Sequence, residues 1–304
     1  MGSKILVAVD QDEALLTLHD VPSWFEDWEQ VLSRFRFDSE LSRLNASAGS
    51  PFALSATLWD VLMAAMDAYA LTEGLVTPVI LEDMLRAGYD RSYSELAQAW
   101  PVAADHRRMH PVEALDEPLA RPAIQDLVID APRRRICLPQ RTGLDFGGIA
   151  KGWAATEAIR RLDAAAPTLV SAGGDIAVSG PRADGAPWPI AVEDPFHPGG
   201  FLETIYIDSG GVATSGRDRR RWTLAGATMH HVMDPRTGWP AATDIITATV
   251  VAATALQAEA LAKAVLILGS VAGMERLESI DEAAGILVLQ SGELLYSENA
   301  EKYL

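Results

Sequence analysis

The stretch Leu144-Asp145-Phe146-Gly147-Gly148-Ile149-Ala150-Lys151-Gly152-Trp153 most narrows what this chain can fold into. Its two adjacent glycines break any strand that reaches them, and the residues from Ala154 to Leu162 carry a helical pattern. The spacing therefore predicts a strand end, a glycine turn and a helix beginning near Lys151. Backbone N–H groups freed by the turn and by the helix N-terminus form a natural anion cradle. Asp145 and Lys151 bracket it with opposite charges.

The flanking sequence sets this turn in a mixed fold. Ile5 to Val9 reads as a strand. Pro22 to Phe35 reads as a helix, with Trp24, Phe25, Trp28, Val31, Leu32 and Phe35 at helical spacing. Asp38 or Ser39 is placed to cap a short helical turn, and Ser55 to cap a helix from Ala56 to Leu71. A short helix is expected from Leu81 to Ala87, and a long loop over residues 100 to 122. Leu127 to Asp130 and Arg135 to Leu138 form a hairpin pattern that delivers the chain to the glycine turn. Beyond it, Thr168 to Val178 reads as two strand pieces around Gly173-Gly174, and Pro189 to Glu193 and Phe201 to Ile207 continue the strand pattern. Thr247 to Ala252 reads as a strand, Leu256 to Leu268 as a helix, and Ile286 to Gln290 with Glu293 to Tyr296 as a closing hairpin.

Strands and helices do not alternate regularly, so the pattern indicates an α+β fold rather than a doubly wound parallel sheet. The expectation is mixed, mostly antiparallel sheets with packed helices, in one globular domain over residues 1–304 with two subdomains.

Composition limits the partners. Lys and Arg number 25 against 42 Asp and Glu, a formal charge of −17, which disfavours nucleic acid and anionic membranes as partners. Small anions need only local donors and remain open. Cys137 is the single cysteine, so no internal disulfide forms, and its strand-like setting predicts a buried inert thiol. No apolar run reaches the roughly 20 residues of a membrane span. Lys4, Asp10, Asp12 and Glu13 interrupt any signal-peptide core. The expected location is cytoplasmic, with a start at Met1-Gly2-Ser3 that also allows a leader removed ahead of it.

Five segments occur in a telling order: Asp38 to Asn45, Asp145 to Gly152, Ala172 to Ile176, Ala213 to Gly216, and His231 to Gly238. In these segments and their order the chain resembles the ApbE family of FAD:protein FMN transferases, from its start to about Gly269. The resemblance implies an enzyme that transfers FMN from FAD to a Ser or Thr hydroxyl of an acceptor protein and releases AMP. It further implies a divalent cation, usually Mg²⁺, on the pyrophosphate. Carried over by motif, Met1 and Phe35 would contact the flavin side, bordered by Val76, Thr77 and Pro78. Asp145 and Lys151 would hold the FAD, and Val232 would line the site. The Gly148 carbonyl would face the metal, with His231 as general base and Asp234 close to the reacting phosphate.

Bland readings stand beside these roles. Asp145 suits the satisfaction of turn amides, Asp234-Pro-Arg-Thr-Gly238 is also a good turn sequence, and Arg217 to Arg221 reads as a solvated charge run. His230 reads as structural beside a functional His231. Asp145-Phe146-Gly147 spells the kinase magnesium triplet without any other kinase segment, and the glycines match no P-loop.

One departure from the family pattern concerns the metal. Where the family commonly has Asp and, four residues later, Thr, this chain has Glu259 and Lys263. Glu259 can still offer oxygen to Mg²⁺, whereas a charged Lys263 has no lone pair to give. Thr77 stands where relatives often have Asp. FAD pyrophosphate hydrolysis, or FAD binding without chemistry, therefore remain open beside transfer.

Overall fold

The computed structural model describes residues 3–10, 16–99, 122–162 and 166–304, and the statements below concern those residues. Met1 and most of the expected loop over residues 100 to 122 lie outside them. The chain divides into two compact units. One comprises Met1–Glu26, Ile149–Gly216 and Thr243–Leu304, the other Asp27–Gly148 and Arg217–Ala242.

The first unit is built on a seven-stranded sheet. Its order is Ile5–Val9, Thr168–Ala172, Asp175–Val178, Gly210–Gly216, Ile245–Ala252, Ala284–Leu289 and Leu294–Tyr296. Every neighbouring pair runs antiparallel. The hairpin Trp188–Glu193 with Phe201–Ile207 closes one face, where Trp188, Ile190, Val192, Ile205 and Ile207 pack with Val178, Val212, Val251 and Ile286. Residues along Trp188–Glu193 alternate buried and exposed, as a strand with one covered face must. The helices Ala150–Leu162 and Ala255–Leu268 pack on the sheet, the second against Gly210–Gly216 and Ile245–Ala252. Ile245–Ala252 is accordingly buried at every position, because both of its faces are covered.

Close approach of the helices depends on a missing side chain. A Cβ on Gly152 would lie 2.4 Å from the Ala255 carbonyl oxygen and 2.9 Å from the Leu256 Cα. The glycine pair also has a structural use. Gly173 and Gly174 take φ of +65° and +99°, and they join Ala172 to Asp175 as a two-residue hairpin loop. Positive φ at both central residues is what such a loop requires, and glycine adopts it without strain.

In the second unit, Ser39 caps the helix Glu40–Ala46 by accepting from the Ser42 N–H at 3.0 Å. Ser55 caps Ala56–Leu71 by accepting from the Leu58 N–H at 3.2 Å. The two caps are linked, since the buried Glu40 carboxylate accepts from the Ser55 N–H at 2.7 Å. The expected hairpin is present as Val128–Asp130 and Arg135–Cys137, with Phe52–Ala53 on the other side of the latter. Cys137 is half-buried there rather than buried, with its thiol 3.8 Å from the Leu138 carbonyl. A small core of Met84, Ala87, Tyr89, Leu96, Trp222, Met229 and Met233 joins the helices Leu81–Arg86 and Tyr93–Ala99 to the hairpin Arg221–Leu224 with Ala227–His230.

Two expectations shift. The first helix runs Val21–Leu32 and ends before Phe35, because Ser33 Oγ accepts from the Phe35 N–H and Arg34 turns away into a buried ion pair. The basic run is not solvated at its ends: Arg217 and Arg221 are buried, Arg221 opening a strand, while Arg219 stays exposed.

Gly152→Ala should cost about 3 kcal/mol or more, because both obstructing groups are backbone and cannot rotate aside. Gly180→Ala, whose Cβ would meet nothing within 4 Å, is the control. Thermal unfolding of the two variants should show a drop of several degrees for the first and none for the second.

Candidate functional site

The predicted site residues fall into two groups, one in each unit. In the second unit the group is centred on Asp145. Its placement starts at Asn45, whose side chain accepts from the Leu144 N–H at 2.8 Å and donates to the Leu144 carbonyl at 2.9 Å. Asn45 is the last residue of the first motif, so that motif holds the second in register. Asp145 then donates its N–H to the Pro78 carbonyl at 2.9 Å, which brings the Val76-Thr77-Pro78 loop to its side. One carboxylate oxygen accepts from the Gly147 N–H at 2.6 Å, the turn-stabilising role of the bland reading. The other meets Arg34 Nε at 2.5 Å, with both side chains 7% exposed.

Arg34 is not among the predicted site residues, yet it organises this region. Its guanidinium lies 4.2 Å from the Phe35 ring centroid and 4.7 Å from that of Tyr89. Tyr89 stacks in turn on Trp222 at 5.1 Å, whose indole N–H donates to the Ala87 carbonyl at 2.7 Å. Burial raises the Tyr89 hydroxyl pKa against the opposing pull of Arg220 and Arg34, so the phenol stays neutral. Of this stack Phe35 is the exposed member, at 45%. The Phe35 and Tyr89 rings also meet each other, 5.8 Å apart and tilted, so Arg34 sets its charge against both while pairing with a carboxylate, and the exposed Phe35 ring offers a surface to another flat π-system. The sequence signal for Arg34 was its place beside Phe35 in Arg34-Phe35-Arg36-Phe37, a pattern that also fits surface residues.

The His231 segment belongs to the same unit. His230 is fully buried, and its Nδ1 accepts from the Val232 N–H at 3.3 Å. The proton therefore sits on Nε2, which donates to the Ala241 carbonyl at 3.1 Å. Burial, with the nearby Arg217 and Arg221 charges, depresses the His230 pKa from its ordinary 6.5 to about 3. His230 thus brackets the backbone at Val232, and His231 beside it is half-buried. Val232 itself is buried. Asp234 receives both Arg236 Nε at 2.9 Å and Arg236 Nη2 at 2.8 Å, and its carbonyl accepts from the Gly238 N–H at 2.7 Å. Its contacts are those of the turn. Arg86 braces that turn by donating to the Gly238 carbonyl at 2.8 Å.

The first unit holds the other group. Glu259, on Ala255–Leu268, is fully buried. One carboxylate oxygen lies 2.8 Å from Lys263 Nζ and 3.1 Å from Lys151 Nζ. The other accepts from the Gly152 N–H at 2.7 Å and so satisfies an open donor at the N-terminus of Ala150–Leu162. Lys151 also forms an ion pair with Asp175, delivered by the Gly173-Gly174 hairpin. Burial alone would lower the Lys151 pKa, but Asp175 and Glu259 reverse that and hold it above the ordinary lysine value. Burial would raise Glu259, and the two ammonium groups pull it below the usual carboxylate range instead. Burial and the Glu259 charge raise Asp175. Asp175 stood in a quoted motif without a role, and this ion pair supplies one.

These donors do not suit a magnesium ion. Mg²⁺ demands octahedral oxygen ligation at about 2.0–2.1 Å. Both Glu259 oxygens are already committed to donors, and an ammonium stands where the sequence resemblance implied a hydroxyl oxygen. Among the described residues no cluster of three or more His, Cys, Asp or Glu side chains is arranged to hold a metal. Gly148 lies half-buried in the turn before Ala150–Leu162. Among the described residues no helix is long and apolar enough to cross a membrane.

The family model described as the ApbE family matches residues 1–287. A relative from Salmonella typhimurium, named FAD:protein FMN transferase, is 28% identical over 277 residues, covering 88% of this chain and 75% of that protein. One of the same name from Treponema pallidum is 29% identical over 276 residues, covering 84% and 72%. The crystal structure of the ApbE protein of Thermotoga maritima superposes with a TM-score of 0.82 at 23% identity, covering 99% of this chain and 96% of that one. The apo form of the Pseudomonas stutzeri flavinyl transferase ApbE gives 0.76 at 26% identity, covering 99% and 93%.

The neutral His230 generates a pH dependence. In the unfolded chain it binds a proton below its ordinary 6.5, and in the folded chain only near 3. Its contribution to stability is therefore complete above that ordinary value and is lost as pH falls from 6.5 towards 3. The slope over that window approaches about 1.4 kcal/mol per pH unit. Urea midpoints of the wild type and His230→Gln, compared across pH, should converge on acidification by this amount.

Proposed function

Because the chain belongs to the ApbE family, we propose that it transfers the FMN half of FAD to a Ser or Thr hydroxyl of an acceptor protein. The observation that carries this reading is the match of residues 1–287 to that family, together with relatives of that named activity aligned over more than four-fifths of the chain.

The chemistry needs three services. Flavin binding asks for a flat apolar partner, and Phe35, exposed against Arg34 and Tyr89, supports that role, while Val76, Thr77 and Pro78 keep theirs by motif. Met1 keeps its proposed flavin contact by motif alone. The pyrophosphate asks for positive charge and N–H donors, which Lys151 and the turn amides supply. Asp145, tied to Arg34 and to Gly147, keeps the turn shaped for that task. The third service is deprotonation of the acceptor.

In the reaction, the acceptor hydroxyl oxygen attacks the phosphorus on the FMN side. A new phosphoester P–O bond forms, and the bridging P–O bond of the pyrophosphate breaks. The bridging oxygen leaves with AMP, and the hydroxyl proton passes to His231. Charge neutralisation and alignment carry most of such a step. Asp234 acts on this step by holding the His231–Gly238 turn through Arg236.

Incubation with FAD and an acceptor domain, read by mass spectrometry for bound FMN and by chromatography for AMP, tests the proposal. Covalent FMN with stoichiometric AMP is expected. FMN and AMP without adduct would replace transfer by hydrolysis, and unchanged FAD would leave binding alone. His231→Asn should lower kcat by about 10²–10⁴, the usual worth of a general base, with FAD affinity nearly unchanged.

A further inference from the structure

The four charges in the first unit are arranged by depth. The carboxylates of Asp175 and Glu259 are 2% and 0% exposed, while the side chains of Lys151 and Lys263 are 19% and 12% exposed. The carboxylates lie deepest, and the lysine side chains are the part of the cluster that solvent reaches. Two lysines would repel each other at this spacing, and the shared Glu259 oxygen is what holds them together. An approaching solute therefore meets the two lysine side chains before it meets either carboxylate. That is the electrostatics of an anion site and the reverse of a metal site, which presents oxygen lone pairs outward.

We propose that Lys263 is a built-in cation, and that with Lys151 it binds the pyrophosphate of the dinucleotide in place of a divalent metal ion. The inference rests on the flavin-transfer reading above and deepens it by assigning the pyrophosphate's counter-charge to this chain itself. Its cost explains its geometry. A lysine beside a buried carboxylate is stable only with close partners, and Glu259 at 2.8 Å supplies one at the i, i+4 spacing of a single helix face.

Titration of FAD into the full-length protein, by calorimetry or flavin fluorescence, in EDTA and again in excess Mg²⁺, tests this. The wild-type dissociation constants should agree within about twofold, a difference well below 1 kcal/mol. Lys263→Thr should weaken binding in EDTA by about tenfold or more, the loss of one charge-assisted contact. The double variant Glu259→Asp with Lys263→Thr, which restores the family's oxygen pair, should regain affinity only when Mg²⁺ is added. Melting curves verify folding, and Lys263→Met replaces Lys263→Thr if the latter unfolds. A wild-type affinity that rises tenfold or more with Mg²⁺, or a folded Lys263 variant that binds as tightly as wild type in EDTA, overturns the inference and leaves flavin transfer standing. Absence of FAD binding in both buffers overturns the flavin reading and the inference with it.

Discussion

Glu259 is fully buried, and its carboxylate takes donors from three directions: Lys151, Lys263 and the Gly152 backbone. Removing water from a carboxylate costs several kcal/mol, so the groups around it have little freedom to be anything else. Gly152 must approach Ala255–Leu268 closely enough for its N–H to reach, which excludes any side chain there. Lys151 must extend towards Asp175, which fixes the hairpin loop at Gly173-Gly174. Loss of one partner from such a buried set typically costs about 3–5 kcal/mol, because the remaining charge is stranded. The ion cluster thus holds together two helices and a hairpin of the first unit.

The second unit uses motif residues in the same way, as scaffolding for a few exposed groups. Asn45 clamps the Leu144 peptide, Arg34 and the Gly147 N–H fix Asp145, and His230 fixes the backbone beside His231. Of the groups held in this way Phe35 is exposed and His231 half-buried.

Local chemistry was legible in the sequence. The Ser39 and Ser55 caps, the helix Ala56–Leu71 and the hairpin around Gly173-Gly174 follow from neighbours a few residues apart. Long-range pairing was not. Nothing local places Ile5–Val9 beside Thr168–Ala172, or Gly210–Gly216 between Asp175–Val178 and Ile245–Ala252. Arg34 was missed because its partner is far along the chain, and the ends of Arg217 to Arg221 were misread because charge alone does not report burial. The helix Ser270–Glu278 also went unread; it begins directly after Gly269, where a helix end is the stronger local signal.

A Glu259 carboxylate neutralised from within has no coordination left for a metal. Paramagnetic titration of Mn²⁺ into the flavin-free protein tests it most directly, since free Mn²⁺ gives a signal that is lost on binding. The signal should follow total Mn²⁺ up to about 1 mM, as for a chain without a site. Stoichiometric Mn²⁺ binding that Mg²⁺ displaces and Glu259→Gln abolishes would contradict it.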